Sequence, residues 1–352
     1  MKILYSFNKR GFELDYWTRE INAASDENVQ FLPFNHEEHT DVRRLARAQL
    51  LDNFYYDRDP GLMHLYDTLQ ETIAREKPDV LLVDNLQPYH PEFLRKLPIY
   101  KVMRTTDGPS VAYERDIPYV HAFDHVLYNN PAYSRDLDTR EKLLYVGAKR
   151  VDLWPLGLFD RMFDPTKTEE TILAHERDLD VVFVGALFFD RMPLLAAVRK
   201  AFGKRFHVYG LCSWKRNLYF NAKYGFPGWV RPIAFEEYVP LYQRTKIGIN
   251  AHIRGKYTLG GYRMFDLPGN GVMQICDGGE YLPTYYEVGK EIVGYDGPEE
   301  LVRKVAWYLD HPDERNAIAM NGYRAVLSRH RMRQRFHELV PLLRAGMNDR
   351  SP

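Results

Sequence analysis

The residues best equipped for chemistry are gathered in Gly260-Gly261-Tyr262-Arg263-Met264-Phe265-Asp266-Leu267-Pro268-Gly269-Asn270-Gly271, followed by the apolar run Val272 to Cys276 and Asp277. The pattern reads as a glycine-rich turn, a short amphipathic helix, a second turn and a buried strand. The helix start carries one cation, Arg263, and one carboxylate, Asp266. Backbone N–H groups at a helix start and an arginine fork favour phosphate oxygens, and a carboxylate about a turn further on can accept from ribose hydroxyls. The same residues also make an ordinary helix–turn–strand connection with a surface arginine, so the choice rests on what surrounds them.

Three further polar loops follow apolar runs: Asn8 to Glu13, Asp84 to His90, and Thr105 to Ser110. Ligands of open α/β sheets bind beyond the carboxyl ends of strands. Asp107 and His90 are therefore the candidates for a general base. Asp107 also reads as a turn or N-cap residue, and His90 as a solvated loop residue.

Other site signatures are absent or out of place. The dinucleotide pattern G-x-G-x-x-G is missing, with Gly11 alone after the first apolar run, and neither G-x-S-x-G nor a phosphate-binding P-loop occurs. Asp57-Arg58-Asp59, Asp136-Leu137-Asp138 and Asp178-Leu179-Asp180 are D-x-D triplets, but none follows an apolar strand as a metal–diphosphate role requires. His36-Glu37-Glu38-His39 lacks the i, i+4 histidine spacing of a helical zinc site and reads as a loop. No metal site and no cofactor are expected.

The elements that must position these residues alternate. Lys2 to Phe7, Val29 to Leu32, Asp79 to Asp84, Ile99 to Arg104 and His125 to Tyr128 read as strands, with Leu143 to Val146 and Arg150 to Leu153 as two more. Leu62, Leu65, Leu69 and Ile73 fall at helical spacing and predict a helix over 61–76, ended by Lys77-Pro78. A second series begins at Asp180-Val181-Val182-Phe183-Val184-Gly185, where Gly185 lets a phosphate approach the backbone. It continues with a helix over 191–202, strands at Phe206 to Gly210, Lys246 to Asn250 and Glu291 to Tyr295, and helices from Pro298, Pro312 and about 331. The expected organisation is a Rossmann-like domain over 1–157, a linker over 158–178, a second Rossmann-like domain over 179–330, and a terminal helix and tail over 331–352 that packs back on the first domain. The natural site is a cleft between the two domains.

Composition sets outer limits. A chain of 352 residues holds two ordinary domains. Formal net charge is zero, which gives no global field toward nucleic acid or an anionic membrane. Tyrosine is abundant, at 25 residues, which suits sugar or base contact and equally suits large cores. Two cysteines, Cys212 and Cys276, argue against a disulfide framework and fit a reducing compartment. No segment reaches the ~18 uninterrupted apolar residues of a spanning helix. A cytoplasmic protein is expected.

Residues 180–335 resemble the CgeB-like spore-protein glycosyltransferases, within the GT-B glycosyltransferases of two Rossmann-like domains. Asp180 to Gly185 resembles the opening strand and glycine, and Arg263-Met264-Phe265-Asp266 through Gly271 resembles R-x-F-E-x-x-x-x-G. Asp296 to Leu301 resembles the loop and helix near the sugar nucleotide. His311-Pro312-Asp313-Glu314-Arg315 with Ile318 to Gly322 resembles h-P-x-E-R-x-x-I-A-x-N-G, and His330 precedes the last helix as in that family.

The resemblance implies a metal-independent glycosyltransferase with a nucleotide-sugar donor held by the second domain and an unidentified acceptor, whether glycan, small molecule or protein. Donor contacts then fall on Gly185, Tyr209, Gly210, Arg254, Lys256, Arg263 and Asp266. Asp266 stands where the family has glutamate, one methylene longer. Thr258 stands where related retaining enzymes have a second acid, so stereochemistry stays open. The alternatives are a nucleotide-sugar epimerase or hydrolase of the same fold, and a non-catalytic nucleotide-sugar-binding structural protein.

Overall fold

The computed structural model describes residues 1–9, 11–41, 56–84, 88–105, 116–134, 137–210, 212–226, 230–252 and 259–349. The chain divides into two compact units, Met1–Leu156 with Met332–Pro352, and Gly157–Arg331. Residues 158–178 belong to the second unit and carry a short helix, Glu169–Ala174, whose Ile172 joins that unit's core.

The first unit is built on a six-stranded sheet. Its members are β1 (Lys2–Phe7), β2 (Gln30–Asn35), β3 (Val80–Asp84), β4 (Tyr100–Thr105), β5 (His125–Tyr128) and, after a small antiparallel ribbon of β6 (Ala132–Ser134) with β7 (Leu137–Asp138), β8 (Val151–Leu153). The order is β2-β1-β3-β4-β5-β8, and every ladder is parallel. All residues of β3 and β4 are buried, as strands covered on both faces require.

The helix Pro60–Glu76 lays Leu62, Leu65, Tyr66 and Leu69 into this core. It starts where Asp59 accepts from the N–H groups of Gly61 and Leu62, and it ends at Lys77 in a left-handed conformation. Leu143 to Val146, expected as a strand, instead belongs to the helix Thr139–Tyr145 and its C-cap. Asp138 caps that helix by accepting from the Glu141 N–H, and Leu143 is its buried apolar anchor.

The final helix, Met332–Asn348, closes the first unit. Phe336 meets the rings of Tyr5, Phe31 and Trp154 edge-on at 5.9, 5.1 and 5.7 Å. The Trp154 indole donates to the Arg335 carbonyl at 2.6 Å.

The second unit contains β9 (Leu179–Val184), β10 (Phe206–Tyr209), β11 (Thr245–Asn250), β12 (Met273–Cys276) and β13 (Val293–Gly294). Their order is β10-β9-β11-β12-β13, again all parallel. The chain steps from β9 outward to β10 and then returns to the other side of β9 for β11. The carboxyl ends of β9 and β11 thus flank a topological switch point, the position where such sheets bind ligands. The first unit has the same reversal at β1 and β3. Among the described residues, no helix is long and apolar enough to cross a membrane, and both cysteines are free.

Candidate functional site

Parallel strands end together, so the residues after β9, β11 and β12 form one edge of the second unit. Asn250 pairs with Cys276 at the end of the β11–β12 ladder, which sets His252 and Asp277 side by side just beyond it. After β9 come Gly185 and, after a short loop, Arg191.

Two arginines define this edge. Arg263 Nη1 donates to the Val184 carbonyl at 2.6 Å, and its guanidinium lies 5.5 Å from the centre of the Phe183 ring. Arg191, buried, donates to the Ala186 carbonyl at 2.7 Å and lies 5.8 Å from the same ring. Burial and, next, the positive field of Arg263 push the Arg191 guanidinium down to about 10. Neither arginine has a carboxylate in ion-pair range among the described residues. Arg191 Nε, buried, makes no hydrogen bond. Two neighbouring guanidiniums that make no ion pair among the described residues, beside an aromatic ring, make a site for an anion with several oxygens.

Gly185 and Gly210 let this edge close up. A Cβ at Gly185 would stand 2.4 Å from Arg263 Nη1, and one at Gly210 would stand 1.9 Å from the Gly185 carbonyl oxygen. Tyr209 is half-buried beside them, with the Arg231 guanidinium 5.8 Å from its ring centre.

Asp266 is placed differently from the sequence expectation. It lies one turn into the helix Arg263–Gly269 but is 2% exposed, and its Oδ1 makes no hydrogen bond. Burial raises its carboxyl well above the usual range, against the opposing field of Arg263. Its near neighbour is Tyr242, also buried, whose hydroxyl makes no hydrogen bond and whose ionisation is opposed by burial and then by Asp266. The helix has only seven residues, so the anion-binding character of the edge comes from arginine side chains more than from a macrodipole.

The raised carboxyl has a sign that can be checked. A carboxyl whose folded pKa exceeds its unfolded value contributes stability below about pH 4 and loses it as pH rises toward the folded pKa. Asp266→Asn should therefore gain on the wild type from pH 4.5 to 7.5, by at most about 1.4 kcal/mol per pH unit for one proton. Urea unfolding across that range measures it. A difference that stays flat with pH would show that the fold does not oppose ionisation.

The remaining expected residues divide. His90 is the N-cap of the helix Pro91–Lys96, its Nδ1 accepting from the Glu92 N–H at 3.3 Å, and burial lowers its pKa. Asp107, Arg254 and Lys256 lie outside the described residues, as does Thr258. Four of the D-x-D carboxylates act locally. Asp59 and Asp138 cap helices, Asp178 pairs with Arg244, and Asp180 pairs with Arg205 and Lys246.

The sequence reading did not assign a role to Arg191, His252 or Asp277. His252 Nδ1 and Asp277 Oδ1 are 2.6 Å apart, and the His252 main-chain N–H also donates to that carboxylate. Cys276 Sγ donates to the Asp277 carbonyl at 2.9 Å, and burial, then Asp277, holds the thiol protonated. One heteroatom from each of His252, Cys276 and Asp277 lies within 4.8 Å of the others, a grouping that could hold a metal ion.

Residues 191–340 match a family model described as glycosyl transferase-like. Solved structures match over the whole chain. Sucrose-phosphate synthase from Thermosynechococcus elongatus aligns with a TM-score of 0.64 at 13% identity, over 99% of this chain and 100% of that one. HepE of Anabaena in complex with UDP-glucose aligns with a TM-score of 0.64 at 11% identity, over 98% and 100%. The UDP-GlcNAc 2-epimerase of Neisseria meningitidis bound to UDP-GlcNAc aligns at 0.54 and 10% identity, over 97% and 99%. The fold is that of the GT-B glycosyltransferases. No curated protein matches by sequence. The GT-B fold accounts for the two sheets and for the doubled strand reversal, while the chemistry rests on the residues at their edges.

Proposed function

We propose that this protein is a glycosyltransferase that moves a sugar from a nucleotide-sugar donor to an acceptor hydroxyl. The observation that carries the reading is the arginine pair at the carboxyl edge of the second unit: Arg191 and Arg263 both lie near the Phe183 ring, Arg263 reaches Gly185, and neither makes an ion pair among the described residues. The matched family and the nucleotide-sugar complexes among the structural neighbours support it.

In this reading the two guanidiniums hold the donor diphosphate. When the bond from the sugar C1 to the phosphate oxygen breaks, the electron pair goes to the diphosphate. Fixed cations stabilise that growing charge in place of a metal ion. Gly185 and Gly210 admit the phosphates to the backbone, Tyr209 lies toward the base, and Arg254 and Lys256 add charge. Asp107 or His90 removes the acceptor proton. The ribose contact expected of Asp266 is not part of the proposal, because its carboxyl is enclosed. The CgeB-like resemblance of 180–335 names the subtype proposed.

The test is nucleotide binding. UDP, GDP, TDP or CMP should stabilise the protein in thermal-shift assays. Arg263→Ala should then weaken the bound nucleotide by roughly 1.5–3 kcal/mol, about one to two decades of Kd. Failure of all four nucleotides would remove the donor-site reading. An epimerase is the second reading, favoured by the structural match to UDP-GlcNAc 2-epimerase. Incubation of UDP-glucose and UDP-GlcNAc without acceptor separates the two, since only an epimerase returns an isomerised sugar.

A further inference from the structure

We propose that the helix Trp214–Tyr224, with the loop and helix beside it, is a docking face for the surface of an anionic lipid bilayer. Its residues are other than those assigned to the donor.

The stretch stands out first by charge. From Arg191 to Phe235 no Asp or Glu occurs, whereas 48 acidic residues in 352 would place about six there. The same span carries nine Lys and Arg. A chain of zero net charge thus gathers cations in one segment, bounded by Asp190 and Glu236.

The fold turns that segment outward. The helix Trp214–Tyr224 starts at Ser213, whose side chain accepts from the Arg216 N–H, and ends at Gly225 in a left-handed conformation. It buries Asn217 and Phe220. The opposite side reads as two rows spaced by four: Trp214, Leu218 and Ala222, then Lys215, Tyr219 and Lys223, with Arg216 at the margin. All seven are exposed. Phe189, in the loop after β9, joins them. Its ring centre is 5.7 Å from that of Tyr219 and 5.6 Å from the Arg216 guanidinium. Trp214, Phe189, Leu218 and Tyr219 are 61, 53, 51 and 44% exposed, and they are four of the nine large apolar or aromatic side chains exposed among the described residues. Such clustering marks an interaction surface, where scattered exposure would not.

The cations here are unanswered. An open groove lies between this helix and the helix Met192–Phe202, lined by Arg199, Lys200, Lys204 and Lys223 around Ala196 and Tyr224. Arg199 donates to the Phe206 carbonyl and Lys223 to the Tyr219 hydroxyl. None of these four cations, nor Lys215 nor Arg216, makes an ion pair among the described residues. Elsewhere in the unit exposed cations have partners: Arg231 pairs with Glu237, Arg244 with Asp178, Lys290 with Glu287 and Arg324 with Glu169.

Apolar row and cation cluster together fit one occupant. Trp, Tyr and Leu on one exposed face suit the boundary of headgroups and acyl chains, where an indole keeps its N–H in the polar layer. Lysines and arginines beside them suit lipid phosphates, each cation giving about a fivefold gain in affinity at an anionic surface. A soluble polyanion would answer the cations and leave the row of Trp214, Leu218 and Ala222 in water.

Sedimentation of the full chain with vesicles measures the docking. Vesicles of phosphatidylcholine and phosphatidylglycerol, two to one, should carry the protein down at about 0.1 M salt, and phosphatidylcholine alone should not. Near 1 M salt, where the Debye length falls to about 3 Å, binding should drop by about tenfold or more. Trp214→Ala with Leu218→Ala should weaken it by about tenfold or more through lost apolar burial. Lys215→Gln with Arg216→Gln and Lys223→Gln should weaken it by about a hundredfold. Trp307→Ala, at an exposed tryptophan outside the segment, should leave it unchanged. If a multiple variant fails to fold, the conservative Trp214→Phe carries the test: vesicles with brominated acyl chains should quench tryptophan emission in the wild type, and this variant should lose that quenching.

Absence of binding to the mixed vesicles at low salt overturns the proposal, and retention on heparin would then mark a soluble polyanion site instead. Binding that stays within about twofold after the change at Trp214 and Leu218 also overturns it, since charge adsorption alone would explain it. The assay contains no nucleotide, so its outcome and that of the donor-site test are independent.

Discussion

Asp84→Ala should destabilise the first unit by about 3–5 kcal/mol, because it removes the carboxylate of a fully buried ion pair. Arg104 and Asp84 are both fully buried, with Nη1 2.9 Å from Oδ2. The guanidinium lies between two indoles, 4.4 Å from the Trp154 ring centre and 5.4 Å from that of Trp17. Tyr5 donates its hydroxyl to the same carboxylate oxygen at 2.8 Å. Removing the carboxylate takes one counter-charge from a buried guanidinium and the acceptor from the buried Tyr5 hydroxyl. Replacing both partners, as in Asp84→Ala with Arg104→Met, removes the buried cation as well and should recover most of the loss. Urea unfolding followed by tryptophan emission reads the change where it occurs, since Trp17 and Trp154 touch the guanidinium. A single variant within about 1 kcal/mol of the wild type, or a double variant no better than the single, would show that the pair is not what neutralises Arg104.

Much of the scaffold was legible because its strands are buried on both faces and therefore spell continuous apolar runs, as in Val80 to Val83 and Val181 to Val184. The helix Pro60–Glu76 was equally plain, since its stripe repeats every three to four residues and its Asp59-Pro60 start is a local signal. Leu143 to Val146 was misread for a physical reason. Four apolar residues in a row carry no period, and here Leu144 and Tyr145 face solvent while Leu143 alone is fully buried. The helix Trp214–Tyr224 went unseen because its pattern is inverted. It buries Asn217 and Phe220 and exposes Trp214, Leu218 and Tyr219.

The site was legible only where one stretch of chain carried it. Arg263 stood out because glycines, cation and helix were contiguous. His252 and Asp277 are 25 residues apart and meet through the Asn250–Cys276 register, which no local pattern encodes. The usable signal was weaker: each is among the first polar residues beyond a buried strand, and in a parallel sheet those ends converge. Asp266 failed in the opposite way. Its spacing from Arg263 suggested a shared ligand, but the helix turns its carboxyl inward toward Tyr242. Burial, not spacing, decides what such an acid can do.

Gly210→Ala should cost roughly 2–6 kcal/mol of stability, combining about 1–3 from overpacking with about 1–3 from backbone strain at its φ of +152°. The size follows from what the new methyl group would meet. It would lie 1.9 Å from the Gly185 carbonyl oxygen and 2.5 Å from its carbon, which are backbone atoms and cannot rotate aside. Those atoms are also pinned. The Gly185 N–H donates to the Tyr209 carbonyl at 2.8 Å, and the Gly210 N–H donates to the Arg231 carbonyl at 3.0 Å. Relief therefore means moving the end of β9, and with it the Val184 carbonyl that holds Arg263. Gly185→Ala provides the contrast. Its methyl would meet the guanidinium of Arg263 at 2.4 Å, the far end of a flexible side chain that can swing away. Backbone strain at its φ of +157° is shared with Gly210, so that variant should lose less stability only by the overpacking it avoids, and more nucleotide affinity, because it displaces the arginine rather than the strand. Urea unfolding and nucleotide titration on both variants separate the two effects. Equal stability of Gly210→Ala and wild type would show that the two strand ends are not locked together, and the close approach of β9 and β10 could then no longer explain why both positions are glycine.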